Sequence, residues 1–433
     1  MSMKVNLSNL TSANETIAIA LSGGADSVAL LHYMLSCSQL YQFKVKAINV
    51  EHGIRGEESK KDSEFVCALC KEMGVELLTY QVDCPTYAKE HKLTLEQAGR
   101  ILRYNCFYDA INQKKCDKVA TAHHLSDNAE SVLFNLFRGT GLKGVVGIEE
   151  NYCDKIIRPF LEVEKTEILE YVKTHNLSYV TDLTNFDDEF TRNYIRLNIM
   201  PEIKKAFPEA EKSIARFSKI VKLENDYIEE QAKAHLQISE DYAQIKLPCP
   251  PVLLGRCAIK AMQALGTTKD WEKVHIDALE MLSTLKNGVK FNLKNGIIAI
   301  KEYDKLVLYR EKDKFTKEFP FSLGERFFNG FNLEIKKVEK PLNLKDGFFA
   351  DLDKIPQTAL LRTKRDGDKI TKFGGGTKKL NDYLTDKKVP LRIRDNLILL
   401  ADKNEVLVIF GVAISDKIKV DDNTKRIITF INK

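Results

Sequence analysis

The chain has 433 residues, enough for two to three domains rather than one core. Its 44% apolar and 29% charged residues are the balance of a globular chain, and no apolar run approaches the roughly 18–20 residues of a membrane helix. Lys and Arg outnumber Asp and Glu by 66 − 61 = 5, too small an excess to require a nucleic-acid partner on its own. No basic stretch followed by a long apolar run opens the chain, so no signal peptide is read and a cytoplasmic location without a membrane partner is expected.

Residues 16–180 alternate strand and helix patterns. Strands are predicted at 16–21 (TIAIAL), 44–50, 76–82, 118–121 and 156–158, and helices at 27–36, 61–73, 95–112 and 129–138. Strands separated by helices of ten or more residues predict a doubly wound parallel sheet, which binds ligands at the carboxyl ends of its strands. Prolines at 201 and 208 mark a boundary. Helical patterns follow at 209–236, 256–265 and 272–285, and from Gly288 strands take over at 290–293, 296–301 and 305–309. The last hundred residues read as short strands with turns. The expected architecture is α/β, with a catalytic domain at 1–205, a mainly helical domain at 206–320 and a small α+β domain at 321–433.

The first strand runs into Ser22, Gly23, Gly24, Ala25, Asp26 and Ser27 and then into a helix. Glycines let the backbone approach phosphates and present N–H groups to them, and the helix N-terminus adds partial positive charge. Ser22 and Ser27 can donate to phosphate oxygens. Asp26 would repel a bare phosphate and makes sense when Mg²⁺ lies between carboxylate and pyrophosphate. The loop at 22–27 carries neither GxxxxGK[ST] nor GxGxxG, which excludes a kinase-type loop there and argues against a dinucleotide on it. The segment resembles the loop of N-type ATP pyrophosphatases, which cleave ATP to AMP and pyrophosphate and activate an oxygen as an adenylate.

Three further clusters carry chemistry. His123 ends a strand and stands four residues before Asp127, a spacing that one helical turn closes; a carboxylate-held imidazole binds phosphate or shuttles protons. The alternative is that Ser126 or Asp127 caps the helix, with Glu130 in its first turn. Arg100 and Arg103 share a helix face and can neutralise charge on a transferring phosphate, or simply face solvent. Arg192 and Arg196, four apart, can hold a carboxylate or phosphate, or can pair with Asp187, Asp188 or Glu189. The nine cysteines form no disulfide framework, and Cys67 and Cys70, the one CxxC, read as buried thiols sharing a helix face.

At this level the resemblance becomes specific. SGGADS (22–27), NVEHGIRGEES (49–59), EQAGRILRY (96–104), ATAHHLSDNAES (120–131), FRGTGLKG (137–144), RPFL (158–161), DLTN (182–185), RNYIRLNIMP (192–201) and the stretch from RDGDKITKFG to residue 395 together resemble the tRNA(Ile)-lysidine synthetase family over nearly the whole chain. The sequence departs from that pattern at Ser126, where the family has Asp, at Asn128, where it has Gln, and in DLTN, where it has DPSN. The resemblance implies ATP as substrate with Mg²⁺, a tRNA(Ile) with a CAU anticodon and free L-lysine as partners, and two steps. ATP adenylates the C2 oxygen of the wobble cytidine, and lysine's ε-amine then displaces AMP. On this reading residues 22–27 hold pyrophosphate, Asp26 holds Mg²⁺, and Arg103 faces the α-phosphate. His123, oriented by Asp127, positions phosphate or moves a proton, while Arg192 and Arg196 orient lysine's carboxylate or tRNA phosphate. Basic residues between 372 and 394 are the candidates for tRNA phosphates. The sequence leaves the oligomeric state open, a homodimer included. A tRNA thiolase would need reactive cysteines, a glutamine-dependent synthetase an N-terminal Cys, and a non-catalytic tRNA binder would not need Asp26, Arg103 and His123.

Overall fold

The computed structural model describes residues 3, 5–53, 57–180, 191–267, 273–311, 315–328, 330–339 and 347–432. The expectations at 54–56 and 181–190, including the DLTN segment and pairing to Asp187, Asp188 or Glu189, lie outside the described residues. The chain forms two compact units, Met1–Tyr227 and Ile228–Lys433.

The first unit is built on strands β1 (Thr16–Ala20), β2 (Lys44–Glu51), β3 (Glu76–Gln81), β4 (Lys118–Ala120), β5 (Asn151–Tyr152) and β6 (Ile156–Ile157), ordered β3-β2-β1-β4-β6-β5. All neighbours are parallel except β5, which runs antiparallel to β6. Alternation along β1 shows why both faces are covered. Ile17 and Ile19 pack with Val28, Leu31 and Met34 of α1 (Ala25–Tyr41) and Ile168 and Val172 of α7 (Lys165–Thr174). Ala18 packs on the other face with Phe107 and Ala110 of α4 (Leu95–Asn112). Side chains alternate between sheet faces, so one apolar pentapeptide feeds two cores. The chain order reverses beside β1: β2 leads away on one side and β4 on the other. Such a switch point leaves a crevice at the strands' carboxyl ends.

Helix α4 starts where Thr94 and Gln97 form a reciprocal capping box at 3.2 Å each way. Helices α2 (Glu57–Glu72), α3 (Cys84–His91), α5 (Leu125–Phe137), α6 (Leu142–Val145), α8 (Thr191–Tyr194) and α9 (Met200–Ala206) complete the unit, with a π turn at Ile195–Ile199 and α10 (Ala210–His235) crossing the unit boundary. Helices α3, α6 and α7 were not legible in the sequence; α6 spans only one turn and α3 begins on Cys84-Pro85 directly after a strand.

In the second unit, α11 (Pro251–Ala264) and α12 (Lys273–Thr284) pack on a five-stranded antiparallel sheet, Leu236–Ile238, Tyr242–Lys246, Lys290–Asn292, Ile297–Glu302 and Lys305–Arg310, around a core with Leu254, Ala258, Leu279, Ala299 and Leu308. The remaining residues form two mixed and antiparallel sheets with the short helices Leu380–Asp386 and Leu391–Arg394. Among the described residues no helix is long and apolar enough to cross a membrane.

Candidate active site

Residues 21–24 connect β1 to α1 at the crevice, and Ala25, Asp26 and Ser27 open α1. Asn49 Nδ2 donates to the Leu21 carbonyl at 2.8 Å, fixing where the strand ends. Gly23 turns the chain with φ +88°, and a Cβ there would stand 3.4 Å from Phe65 Cδ1. Its backbone conformation is one that side chains other than glycine's rarely adopt. The Ser27 hydroxyl donates to Gly24 O at 2.9 Å and accepts from Ser22 N at 3.2 Å, and Ser27 is buried. Ser27 therefore braces the loop from within, whereas Ser22 is exposed on it.

Asp26 lies in the first turn of α1, and its Oδ1 is salt-bridged to Lys165 Nζ. Its Oδ2 lies 4.0 Å from His124 Nε2. Lys165 is the first residue of α7, after β6, and His124 is the N-cap of α5, after β4. The carboxyl ends of β1, β4 and β6 thus bring Asp26, His124 and Lys165 together. Neither Lys165 nor His124 was singled out in the sequence. Lys165 stands about 140 residues from Asp26 with no local motif around it, so only the sheet order joins them.

His123 and Asp127 do not pair as their spacing suggests. Helix α5 begins at Leu125, so His123 precedes it, and its Nδ1 lies 2.9 Å from Thr121 Oγ1. Asp127 instead accepts from the His124 N–H at 3.0 Å, pairs with Arg196 Nη2 at 2.9 Å and faces His124 Nε2 at 3.5 Å. The N-cap is His124, not Ser126 or Asp127; Asp127 supplies the reciprocal half of that cap. Burial holds His123 well below the usual imidazole range, against the attraction of Asp127 and with help from Arg158, Arg192 and Arg100. His123 is therefore a neutral hydrogen-bonding group near neutral pH, not a cation. Burial alone would push Asp127 up; His124, His123, the His124 N–H and Arg196 outweigh it and hold the carboxyl below its ordinary range.

Arg192 and Arg196 converge on Asp127 and Glu130. Arg196 grips Glu130 with Nε at 2.7 Å and Nη2 at 2.9 Å, a bidentate pair on a carboxylate 2% exposed. Arg192 Nη2 donates to the Asp127 carbonyl at 3.0 Å, and its Nε lies 3.4 Å from Glu130 Oε2. The structure brings both arginines to α5, Arg196 to the Asp127 and Glu130 carboxylates and Arg192 to the Asp127 backbone carbonyl. Glu130, read from sequence as a first-turn helix residue, is their buried anchor.

Arg103, on α4, meets the residue that follows β2. Its Nε and Nη2 are each 3.3 Å from His52 Nε2, and His52 Nδ1 is 3.4 Å from Cys84 Sγ. Burial, then Arg103, lowers His52 to about 4, so it accepts from Arg103 as a neutral imidazole. Arg100 lies over the Tyr104 ring at 5.4 Å, and Tyr104 OH accepts from buried Arg158 at 3.2 Å. Asn128, one of the departures, is buried and its side-chain oxygen accepts from Ile148 N at 2.8 Å, holding the turn at Gly147.

Mg²⁺ commonly takes one or two carboxylates and completes its shell with substrate phosphates and water. Asp26 fits that use: it is 31% exposed at the phosphate-binding loop, with Oδ2 turned to His124 at 4.0 Å. Among the described residues no group of three or more His, Cys, Asp or Glu side chains converges as a cage of its own. A cation carried in by the nucleotide's phosphates suits these residues.

Cys70 is buried, and burial, then Cys67, pushes its thiol up to about 11; Cys67 faces solvent, so the two do not form a buried pair. A thiol so far from ionisation is a poor nucleophile and ligand. Replacing both with alanine should leave turnover within about threefold of the parent chain; abolished turnover in a protein that still folds would point to sulfur chemistry.

A glycine-containing loop between β1 and α1, opening on a parallel-sheet crevice with a carboxylate in its first helical turn, defines the PP-loop class of ATP-using enzymes. The PP-loop domain family matches residues 2–203, and the TilS substrate C-terminal domain family matches residues 360–429. A tRNA(Ile)-lysidine synthase of Caldanaerobacter subterraneus subsp. tengcongensis is 33% identical over 97% of this chain and 94% of its own length. One of Clostridioides difficile is 32% identical over 98% and 96%. A solved U34-tRNA thiolase from Methanococcus maripaludis, with its [4Fe-4S] cluster, aligns at 22% identity over 50% of this chain and 75% of its own, with a TM-score of 0.42. This chain belongs to the tRNA(Ile)-lysidine synthase family.

Proposed function

We propose that this chain ligates L-lysine to C2 of the wobble cytidine of tRNA(Ile) with a CAU anticodon, using ATP and releasing AMP and pyrophosphate. The observation that carries this reading is the site itself in a chain of this family: a phosphate loop at the sheet's switch point whose Asp26 is met by groups from two neighbouring strand ends.

In the first step the cytidine C2 oxygen bonds to the α-phosphorus, the bond to the bridging oxygen breaks, and pyrophosphate leaves with the electron pair. N–H groups at the start of α1 and the exposed Ser22 hydroxyl hold the leaving group, and Ser27, which takes the Ser22 N–H, keeps the loop in shape. Asp26 would hold Mg²⁺, which neutralises phosphate charge as the leaving group departs. Arg103, fixed by His52, faces the α-phosphate, and neutral His123 donates or accepts a hydrogen bond beside it. In the second step the ε-amine of lysine, having lost a proton, attacks C2 and AMP leaves. Arg192 and Arg196, assigned from sequence to lysine's carboxylate or a tRNA phosphate, we reassign to holding Asp127 and Glu130.

We divide the work over residues 1–205 for catalysis and 206–320 and 321–433 for gripping the tRNA. Lys372, Lys379, Lys387 and Lys388 are exposed, as phosphate contacts require. Arg394 is not available for that: it is buried and donates to Val389 O and Thr385 Oγ1 at 2.9 Å. Arg392 is drawn over the Tyr242 ring at 4.4 Å and toward Glu302 at 3.5 Å. Replacing Lys387 and Lys388 with alanine should weaken tRNA binding and flatten its log–log salt dependence by about 1 per lysine. An unchanged slope would remove both lysines from the interface. The reaction is tested by incubating the full chain with ATP, Mg²⁺, labelled lysine and CAU-anticodon tRNA(Ile). Label should enter the tRNA only when ATP is present; no incorporation refutes the proposed reaction.

A further inference from the structure

Lys165 is the charged group at this site that the reaction as written above leaves without a task. Three helices, α1, α5 and α7, begin around Asp26, and each N-terminus contributes partial positive charge. A lysine as the first residue of a helix is at the unfavourable end of that dipole. The other charges of the α7 first turn are accounted for: Glu164 pairs with Lys212 at 2.6 Å and Glu167 accepts from Glu164 N at 3.0 Å. Lys165 leans away from them to Asp26 on another helix, and its side chain is 38% exposed. Asp127 caps α5 and Glu167 caps α7, so a phosphate arriving at the α1 N-terminus meets Asp26 and the part-exposed Lys165.

Resting on the proposed ATP chemistry, we infer that Lys165 is a ligand of the pyrophosphate leaving group and that it exchanges Asp26 for phosphate oxygens when the nucleotide binds. The ammonium group on its flexible stem can swing between the two acceptors while remaining a point charge. The exchange does two things at once. It brings a cation to the oxygens that gain charge as the bond to the α-phosphorus breaks, and it frees the Asp26 carboxylate for Mg²⁺. No proton moves: Lys165 stays an ammonium throughout, and the electron pair of the broken bond remains on pyrophosphate.

The exchange is measurable without turnover, by titrating the full chain calorimetrically with inorganic pyrophosphate, with and without Mg²⁺. Lys165→Ala and Lys165→Met, the second keeping the apolar stem, should weaken pyrophosphate binding by about tenfold or more in both conditions, with Lys165→Arg between them and the parent. Asp26→Asn removes the competing carboxylate, so it should tighten metal-free pyrophosphate binding severalfold, and Lys165→Ala added to it should abolish that gain. In steady state Lys165→Met should raise the KM for ATP and lower kcat while leaving the KM for lysine unchanged. Equal pyrophosphate affinity in the parent and both neutral variants would overturn the role of Lys165 while leaving the loop reading intact. No tightening in Asp26→Asn would overturn the exchange. A parent chain that binds neither pyrophosphate nor ATP would overturn the loop reading and this inference together.

Discussion

Asp26→Asn should lower pyrophosphate release by about 10²–10³-fold while leaving the fold intact, the size of effect expected when one group stabilising developing charge is removed. Stability should hardly change, because the Asp26–Lys165 pair is partly exposed on both sides, 31% and 38%, and such pairs contribute about 0–1 kcal/mol. The substitution has two opposed consequences. It removes the carboxylate that would hold Mg²⁺, which slows the chemical step. It also removes negative charge from the phosphate path, which favours metal-free binding. A turnover assay read alone would miss the second, so AMP formation and pyrophosphate affinity are measured on the same preparation. Turnover within about threefold of the parent would show that Asp26 is not the metal-bearing group, and the charge logic of the loop would have to be rebuilt around another carboxylate.

The loop was legible because everything it needs is contiguous: a strand, two glycines, a carboxylate and a helix start within residues 16–27. The parallel sheet was legible for a similar reason, since its strands are apolar runs spaced by helices. What was not legible is what topology brings together. Lys165 reaches Asp26 because β6 lies beside β4 and β4 beside β1, an order no local pattern states. The adjacent histidines were visible as a pair, yet spacing favoured His123 with Asp127 when the helix boundary makes His124 the residue between Asp127 and Asp26. A helix start displaced by one or two residues changes which side chains share a face. Arg192 and Arg196 were placed together correctly, but their partners sit on α5, more than sixty residues away. Glu130 is polar by type and buried by circumstance, and burial of a charged residue is read only once its counter-charges are in place.

The second large effect is expected at a buried ion pair. In the second unit Arg362 is 1% exposed and forms two parallel hydrogen bonds to Asp368, 2.9 and 2.7 Å long, with the Asp368 side chain also 1% exposed. The same guanidinium donates to Thr363 O at 2.9 Å and Lys403 O at 2.7 Å, and Asp368 Oδ2 accepts from Arg365 N at 2.8 Å. One buried pair thus joins strand Leu360–Arg362 to the turn that opens strand Lys369–Thr371 and to the turn at Lys403. Removing one partner leaves the other charge buried without compensation, which costs about 3–5 kcal/mol. Asp368→Ala should therefore lower the unfolding temperature of the second unit by about 10 °C, while pyrophosphate binding by the first unit is retained and tRNA binding is lost. Asp368→Asn, which keeps an acceptor and the shape, should fall between. Replacing both partners with apolar residues of similar volume separates fold from charge, because a well-packed apolar pair often matches or exceeds a buried ion pair in stability. If Arg362→Met with Asp368→Leu restores the melting temperature but not tRNA affinity, the pair shapes the surface that tRNA meets. If it restores both, the pair serves stability alone, and if Asp368→Ala leaves the melting temperature unchanged, the buried pair does not hold the strands together.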